Sequence, residues 1–150
     1  MEYRASFVYA SMAAYFDRDN ISLPGLAKFF RKSSHEERDH AEMLTDYLNK
    51  RGGRVQLFTV EGPQVEFDSA VAAVQLALQL EKDVNKSLLN LHKIADEHND
   101  PQMCDFIESE FLNEQVDGIS QLANYVTQLN RVAGDGLGLY LWDQNLLKSL

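Results

Sequence analysis

Glu37 and His40 stand three residues apart in a stretch that reads as helix, Ser34-His35-Glu36-Glu37-Arg38-Asp39-His40-Ala41-Glu42. Residues i and i+3 share a helix face, so a carboxylate and an imidazole there can approach one metal ion together. The apolar stripe of this helix, followed at spacings of three and four, runs through Leu26, Phe30, Ser33, Glu37, His40, Leu44 and Tyr47. Both groups therefore fall on the face that should be buried. Three other helical segments show the same anomaly. One stripe passes through Glu2, Ala5, Tyr9, Met12 and Phe16, and another through Val74, Ala77, Glu81, Val84, Leu88, Leu91 and Ala95. The last passes through Leu112, Gln115, Ile119, Leu122, Val126 and Leu129.

A single buried carboxylate is ordinarily a core residue satisfied by hydrogen bonds, because leaving it charged and unpaired costs several kcal/mol. Three carboxylates, a histidine and a glutamine on stripes that must face one another in a bundle are a different case. No Lys or Arg lies on those stripes to neutralise them. A multivalent cation is the economical partner, and an oxygen-rich set with one imidazole suits iron or manganese, and zinc less exclusively. Di-iron carboxylate bundles take a glutamate from each of two helices and Glu-x-x-His from each of the other two. Here Glu2 and Glu81 are the single glutamates and Glu37-x-x-His40 is one motif. The second motif is degraded: Glu114 is followed three residues later by Asp117, and Gln115 occupies the stripe. The expected centre is asymmetric, with Glu2, Glu37 and His40 at one position. The other has Glu37 as bridge, Glu81, and weaker support from Gln115. Such a site holds its second iron loosely, so iron is expected to pass through. A zinc-protease site is excluded, since His35-Glu36-Glu37-Arg38-Asp39 has Asp where a second histidine is needed.

The elements that must position these groups are all helical. A first helix is expected to about residue 17, stopped by Asp17-Arg18-Asp19-Asn20. A second opens near Pro24, a residue suited to the first helical position, and runs to about Lys50 before Gly52-Gly53. Residues 53 to about 67 read as a long, partly extended connection. A third helix covers roughly 68 to 97. Asn99-Asp100-Pro101 then signals a fresh start, and a fourth helix runs to about Ala133 and ends at Gly134-Asp135-Gly136. Leu137 to Leu150 closes the chain as a fifth, apolar helix. Short loop, long crossover and tight turn fit one all-α four-helix bundle over residues 1–150. Glu2-Tyr3-Arg4-Ala5 enters full helical rhythm with no capping residue, so the first helix is expected to begin upstream of Met1.

Composition narrows the partners. A formal charge of -9 argues against nucleic acid and favours cationic ligands. Cys104 is the one cysteine, which rules out an internal disulfide framework and points to a reducing compartment; the cytoplasm is expected, or an organelle if a leader has been removed. No apolar run approaches the roughly 20 residues that span a bilayer, and no secretory leader is visible.

These residues carry a resemblance to animal-type ferritins along essentially the whole chain. The matching stretches include Ser34 to Glu42 as quoted above, Arg51-Gly52-Gly53-Arg54, Leu80-Glu81-Lys82, Asn99-Asp100-Pro101, Cys104-Asp105-Phe106-Ile107-Glu108 and Leu112-Asn113-Glu114-Gln115-Val116. The resemblance implies the heavy-chain, ferroxidase-competent type: Glu2, Glu37, His40 and Glu81 as iron ligands, Gln115 beside the second iron, and Tyr9 next to the centre. It further implies a ferritin-like bundle and self-association into a homo- or hetero-oligomeric hollow cage that stores ferric mineral. Iron and dioxygen are then the partners, and no organic cofactor is expected. Asp105 and Glu108 match the acids lining the family's channels that admit iron. Glu36, Asp39 and Glu42 match its inner-surface cluster for mineral nucleation, with Asp39 shorter than the usual glutamate. The last helix, in the family, lines four-fold axes. His35, His92 and His98 lie off the stripes and are expected at the surface, and Cys104 is expected to be unreactive. The non-enzymatic alternative is a cage subunit that only nucleates mineral. A cytokine-like bundle needs two long crossovers and leaves Glu37 and His40 without a task.

Overall fold

The computed structural model describes residues 1–132 and 136–150. Every regular element among them is helical: α1 (Glu2–Phe16), α2 (Pro24–Lys50), α3 (Ala70–Glu97), α4 (Pro101–Ile107), a π-helical turn (Glu108–Leu112), α5 (Asn113–Val132) and α6 (Leu137–Ser149). The expected stop at Gly134-Asp135 lies outside the described residues. None of the described helices is long and apolar enough to cross a membrane. The chain divides into two compact units, Met1–Asp68 with Val132–Leu150, and Ser69–Arg131.

In the first unit α1 and α2 form a helical hairpin. Ser22 turns through a positive φ of 52°, and Leu23 N–H donates back to the Phe16 carbonyl at 3.0 Å, closing the connection. Tyr9 and Phe16 stack on Phe30 with centroids 5.8 and 5.7 Å apart, and this aromatic ladder forms the floor of the hairpin. Pro24 sits at the first helical position as expected, but its N-cap, Leu23, has no side chain to offer. The missing cap arrives from the other end of the chain. Asp143 of α6 accepts from Gly25 N–H at 3.0 Å and Leu26 N–H at 2.8 Å, and is itself 1% exposed. A carboxylate is well placed against the orphan donors and positive dipole end of a helix. Residue 25 must be glycine, since a Cβ there would collide with the Asp143 carbonyl oxygen.

The crossover forms no strand and is tied down by side chains of α1. Tyr15 donates its hydroxyl to the Phe67 carbonyl at 2.7 Å, Ser11 to the Gln64 carbonyl at 2.6 Å, and Arg18 reaches both Glu66 and the Val65 carbonyl. These bonds satisfy carbonyls that a strand partner would otherwise take.

The C-terminal ends of α2 and α3 close in the same way. Gly52 at φ 79° lets its own N–H reach Asn49 and the Gly53 N–H reach Leu48, the paired bonds of a Schellman motif. Asn99 at φ 55° does the same after α3, with Asn99 N–H on Asp96 and Asp100 N–H on Ala95. Ser69 caps α3 by accepting from Ala72 N–H, and Asp100 caps α4 by accepting from Met103 N–H. The expected start at Asp100-Pro101 is thus present.

The expected single fourth helix is interrupted. A π turn at Glu108–Leu112 separates α4 from α5, and the core residue there is Phe111, with Leu112 only partly buried.

The Asp143 cap is directly testable. Asp143→Ala removes two hydrogen bonds from an ionised acceptor and leaves two buried donors, at a cost of about 2–4 kcal/mol. Asp143→Asn keeps one acceptor oxygen and should lose about half of that. Urea unfolding reads both values, and parent-like midpoints would show that α6 contributes nothing to the start of α2.

Candidate metal centre

The two helices of the first unit are held in register by a reciprocal serine pair. Ser6 donates to the Ser34 carbonyl and Ser34 to the Ser6 carbonyl, each at 2.8 Å. Two small residues let the backbones approach closely enough for this. One turn back from Ser6 on α1 is Glu2, and one turn on from Ser34 along α2 come Glu37 and then His40. All three are buried, at 5%, 5% and 9% exposure. His40 Nδ1 lies 3.7 Å from Glu37 Oε1. Glu37 Oε2 is buried and has no hydrogen-bond partner. Tyr9, also buried, packs one turn from Ser6 against Phe30.

A buried carboxylate oxygen with open lone pairs beside an imidazole is a site short of a positive charge. Of the chemistries available, a hard or borderline cation is the one an oxygen-plus-imidazole set takes best.

The second unit carries the other half of the expected set. Glu81 on α3 and Gln115 on α5 are both buried. The Gln115 carboxamide donates from Nε2 to the Glu81 backbone carbonyl at 3.0 Å and to Glu81 Oε2 at 3.1 Å. With its NH₂ so engaged, Gln115 has only its carbonyl oxygen to offer a metal, and it orients the Glu81 carboxylate at the same time. Glu114 and Asp117, the remnant of the second motif, are exposed.

The structure thus joins Glu37 with His40, and Glu81 with Gln115. Among the described residues, no group of three or more His, Cys, Asp or Glu side chains converges on one metal position.

The remaining candidates lie on surfaces. Glu36 is half-buried and pairs with Lys32 at 3.1 Å; Glu42 is exposed and faces Arg38 at 3.5 Å; Asp39 is exposed. Asp105 and Glu108 border one hollow of about 480 Å³ with Asp96, Asp100 and Cys104. His35 and His98 are exposed as expected. His92 is not a plain surface residue. It is half-buried, and its Nε2 stands 2.5 Å from Glu108 Oε1. Partial desolvation, then the charges of Asp96, Glu108 and Asp100, push the Cys104 thiol above its ordinary value, so it stays protonated and weakly nucleophilic.

Two groups that organise the site escaped the stripe reading. The Ser6–Ser34 pair carries no signal in either helix alone. Asp143 did carry one: it lies three residues before the buried Leu146, a charge on an apolar face like Glu37 and Glu81.

Comparison with known proteins bears on the family and the fold. Residues 1–132 match the ferritin-like domain family, which has the all-α fold class that the stripes led to. The chain is 55% identical over 150 residues to the soma ferritin of Lymnaea stagnalis, covering 99% of this chain and 86% of that protein. It is 56% identical over 152 residues to a chloroplastic ferritin of Malus baccata var. xiaojinensis, covering 98% of this chain and 60% of that protein. Chloroplastic ferritin-2 of Zea mays is 53% identical over 153 residues, covering 99% and 61%. The chain therefore spans about three-fifths of the length of these plant relatives.

The unsatisfied Glu37 oxygen predicts a site that destabilises the metal-free protein. Glu37→Leu removes a buried charge and should raise metal-free stability by on the order of 1 kcal/mol, a few degrees in Tm. A Tm that falls instead would mean that the carboxylate is fully compensated as it stands.

Proposed function

Because this chain belongs to the ferritin family, we propose that it is an iron-storage subunit with ferroxidase activity, taking Fe(II) as substrate at Glu2, Glu37, His40 and Glu81. The observation that carries this is the buried Glu37–His40 pair, whose Glu37 Oε2 is left without a hydrogen-bond partner. Two ferrous ions bind, each gives one electron to dioxygen, which takes up two protons and leaves as hydrogen peroxide, and the ferric product leaves for storage. The redox chemistry belongs to the iron; the protein supplies ligand geometry and electrostatics.

Each residue has a defined part. Glu37 and His40 ligate from adjacent turns of α2, with Glu37 free to bridge through its second oxygen. Glu2 completes the first position from α1, held level by the serine pair. Glu81 serves the second position, oriented by the Gln115 amide, whose carbonyl oxygen is a weak further donor. Tyr9 packs beside the first position as a phenol within the aromatic ladder. A neutral amide in place of a second Glu-x-x-His motif leaves the second position under-charged, which favours release of oxidised iron over its retention. The family assigns further parts: Asp105 and Glu108 to channels that admit iron, Glu36, Asp39 and Glu42 to mineral nucleation, and the chain as a whole to a multi-subunit cage.

Aerobic mixing with Fe(II), followed by the near-ultraviolet absorbance of ferric species, tests the assignment. Glu37→Lys with His40→Gly should slow oxidation by more than roughly 100-fold, since loss of even an outer-sphere partner costs about 10- to 100-fold in metal affinity or activity. A subunit that only nucleates mineral would instead keep its rate in that variant and lose it when Glu36, Asp39 and Glu42 are neutralised together.

A further inference from the structure

The π turn at Glu108–Leu112 sits one residue upstream of Asn113-Glu114-Gln115, and π turns are rare insertions that frequently mark functional sites. Its effect on phase can be read from burial. Ile107 is the last buried residue of α4. An unbroken α-helix of about 3.6 residues per turn, continued from Ile107, returns to that face near positions 111, 114, 118 and 121. The buried residues actually found are Phe111, Gln115, Leu122 and Leu129, while Glu114, Asp117 and Gln121 are exposed. At Gln115 and Leu122 the inward face therefore arrives more than half a residue late. That is a lag in the direction expected when a wide turn absorbs an extra residue.

The chemical consequence is specific. In the unshifted phase the residue delivered against Glu81 is Glu114, an acid, followed on the same face near Asp117-Gly118. In the shifted phase it is Gln115, whose Nε2 donates to Glu81 Oε2 at 3.1 Å and to the Glu81 carbonyl at 3.0 Å. We propose that the Glu108–Leu112 π turn is a ligand-selecting device, which sets the register of α5 so that a neutral amide and not a carboxylate faces Glu81. Gln115 is thereby a specificity-determining and positioning residue: it lowers the negative charge of the Glu81 half-site and weakens its hold on a second divalent cation. The register half of this inference stands on burial and hydrogen bonds alone, while the cation half rests on the proposed iron site.

Two measurements on the full chain separate those halves. In a Cys104→Ser background, Phe111→Cys, Glu114→Cys and Gln115→Cys are each treated, metal-free, with a chromogenic thiol reagent. The cysteines at 111 and 115 should react slowly and the one at 114 fast; slow reaction at 114 with fast reaction at 115 overturns the register. Co(II) titration, followed by visible absorbance, then reads the charge. The parent should bind one equivalent tightly and a second weakly. Gln115→Glu should tighten the second by at least about tenfold, the smallest step that a changed ligand partner commonly gives, and Glu114→Gln should leave both unchanged. If Gln115→Glu leaves the second equivalent as weak as in the parent, ligand selection is wrong even though the register is right. A parent that binds no Co(II) at all overturns the iron site itself, and the thiol rates still decide the register.

Discussion

Taking a carboxylate out of water is costly, and this sequence accepts that cost on three of its helices. Glu2, Glu37 and Glu81 are each more than nine-tenths buried, and no Lys or Arg shares their stripes. A chain selected for stability alone would place small or aliphatic residues there, as it does at Leu26, Ala73, Ala77 and Val84. The surrounding core must be well made to carry that cost. The Tyr9–Phe30–Phe16 ladder serves this purpose in the α1–α2 hairpin, a dry and dense support directly beneath the polar layer.

Burying such groups is useful only if they stay where they are put, so precision of register matters more here than net stabilisation. Each polar side chain is held by a bond made elsewhere. The serine pair aligns α1 with α2, so Glu2 and Glu37 share a level. The Gln115 amide fixes the Glu81 carboxylate from the side. Asp143 sets where α2 begins, and hence the phase in which Glu37 and His40 arrive more than a dozen residues later. The side-chain bonds from Ser11, Tyr15 and Arg18 hold the crossover without a strand, which leaves α1 as its anchor. None of these bonds is large in itself, of the order of 1 kcal/mol net, but all are directional, and direction is what a ligand set requires.

The features legible in the sequence are those written in short spacing. Glu37 and His40 lie within one turn of each other, so their shared face follows from helix geometry alone, and the same holds for Glu2 and Glu81 on their stripes. Helix ends were equally plain, because Pro24, Gly52-Gly53 and Asn99-Asp100-Pro101 act on their immediate neighbours. What stayed hidden depends on distant partners or on small energy differences. The Asp143 cap joins residues 117 and 118 positions apart, and Leu23 gives no local hint that its helix is capped at all. The Glu108-Ser109-Glu110-Phe111-Leu112 stretch contains nothing that forbids an α-helix, so its wide turn could not be foreseen from propensity. Gln115 lies on the buried face of α5 because its stripe runs downstream through Leu122 and Leu129, beyond the turn; a stripe started at Ile107 points to Glu114 instead.

That difference of one residue bears on why the Glu37–His40 pair and the Glu81–Gln115 pair are unlike. The α2 half offers a carboxylate with an open oxygen and an imidazole, a donor set with charge to spare. The Glu81 half offers one carboxylate already engaged by an amide N–H, so part of its negative charge is spent within the protein. The Glu81 pair is a weak position for a cation for two separable reasons: the missing second carboxylate and the hydrogen bond on the one that remains. Permanent cofactor sites are built the opposite way, with every donor committed to the metal. A half-site whose best ligand is shared with a neutral side chain suits an ion that arrives, changes oxidation state and moves on. The asymmetry therefore follows from which residue the helix presents, and that in turn from a single wide turn.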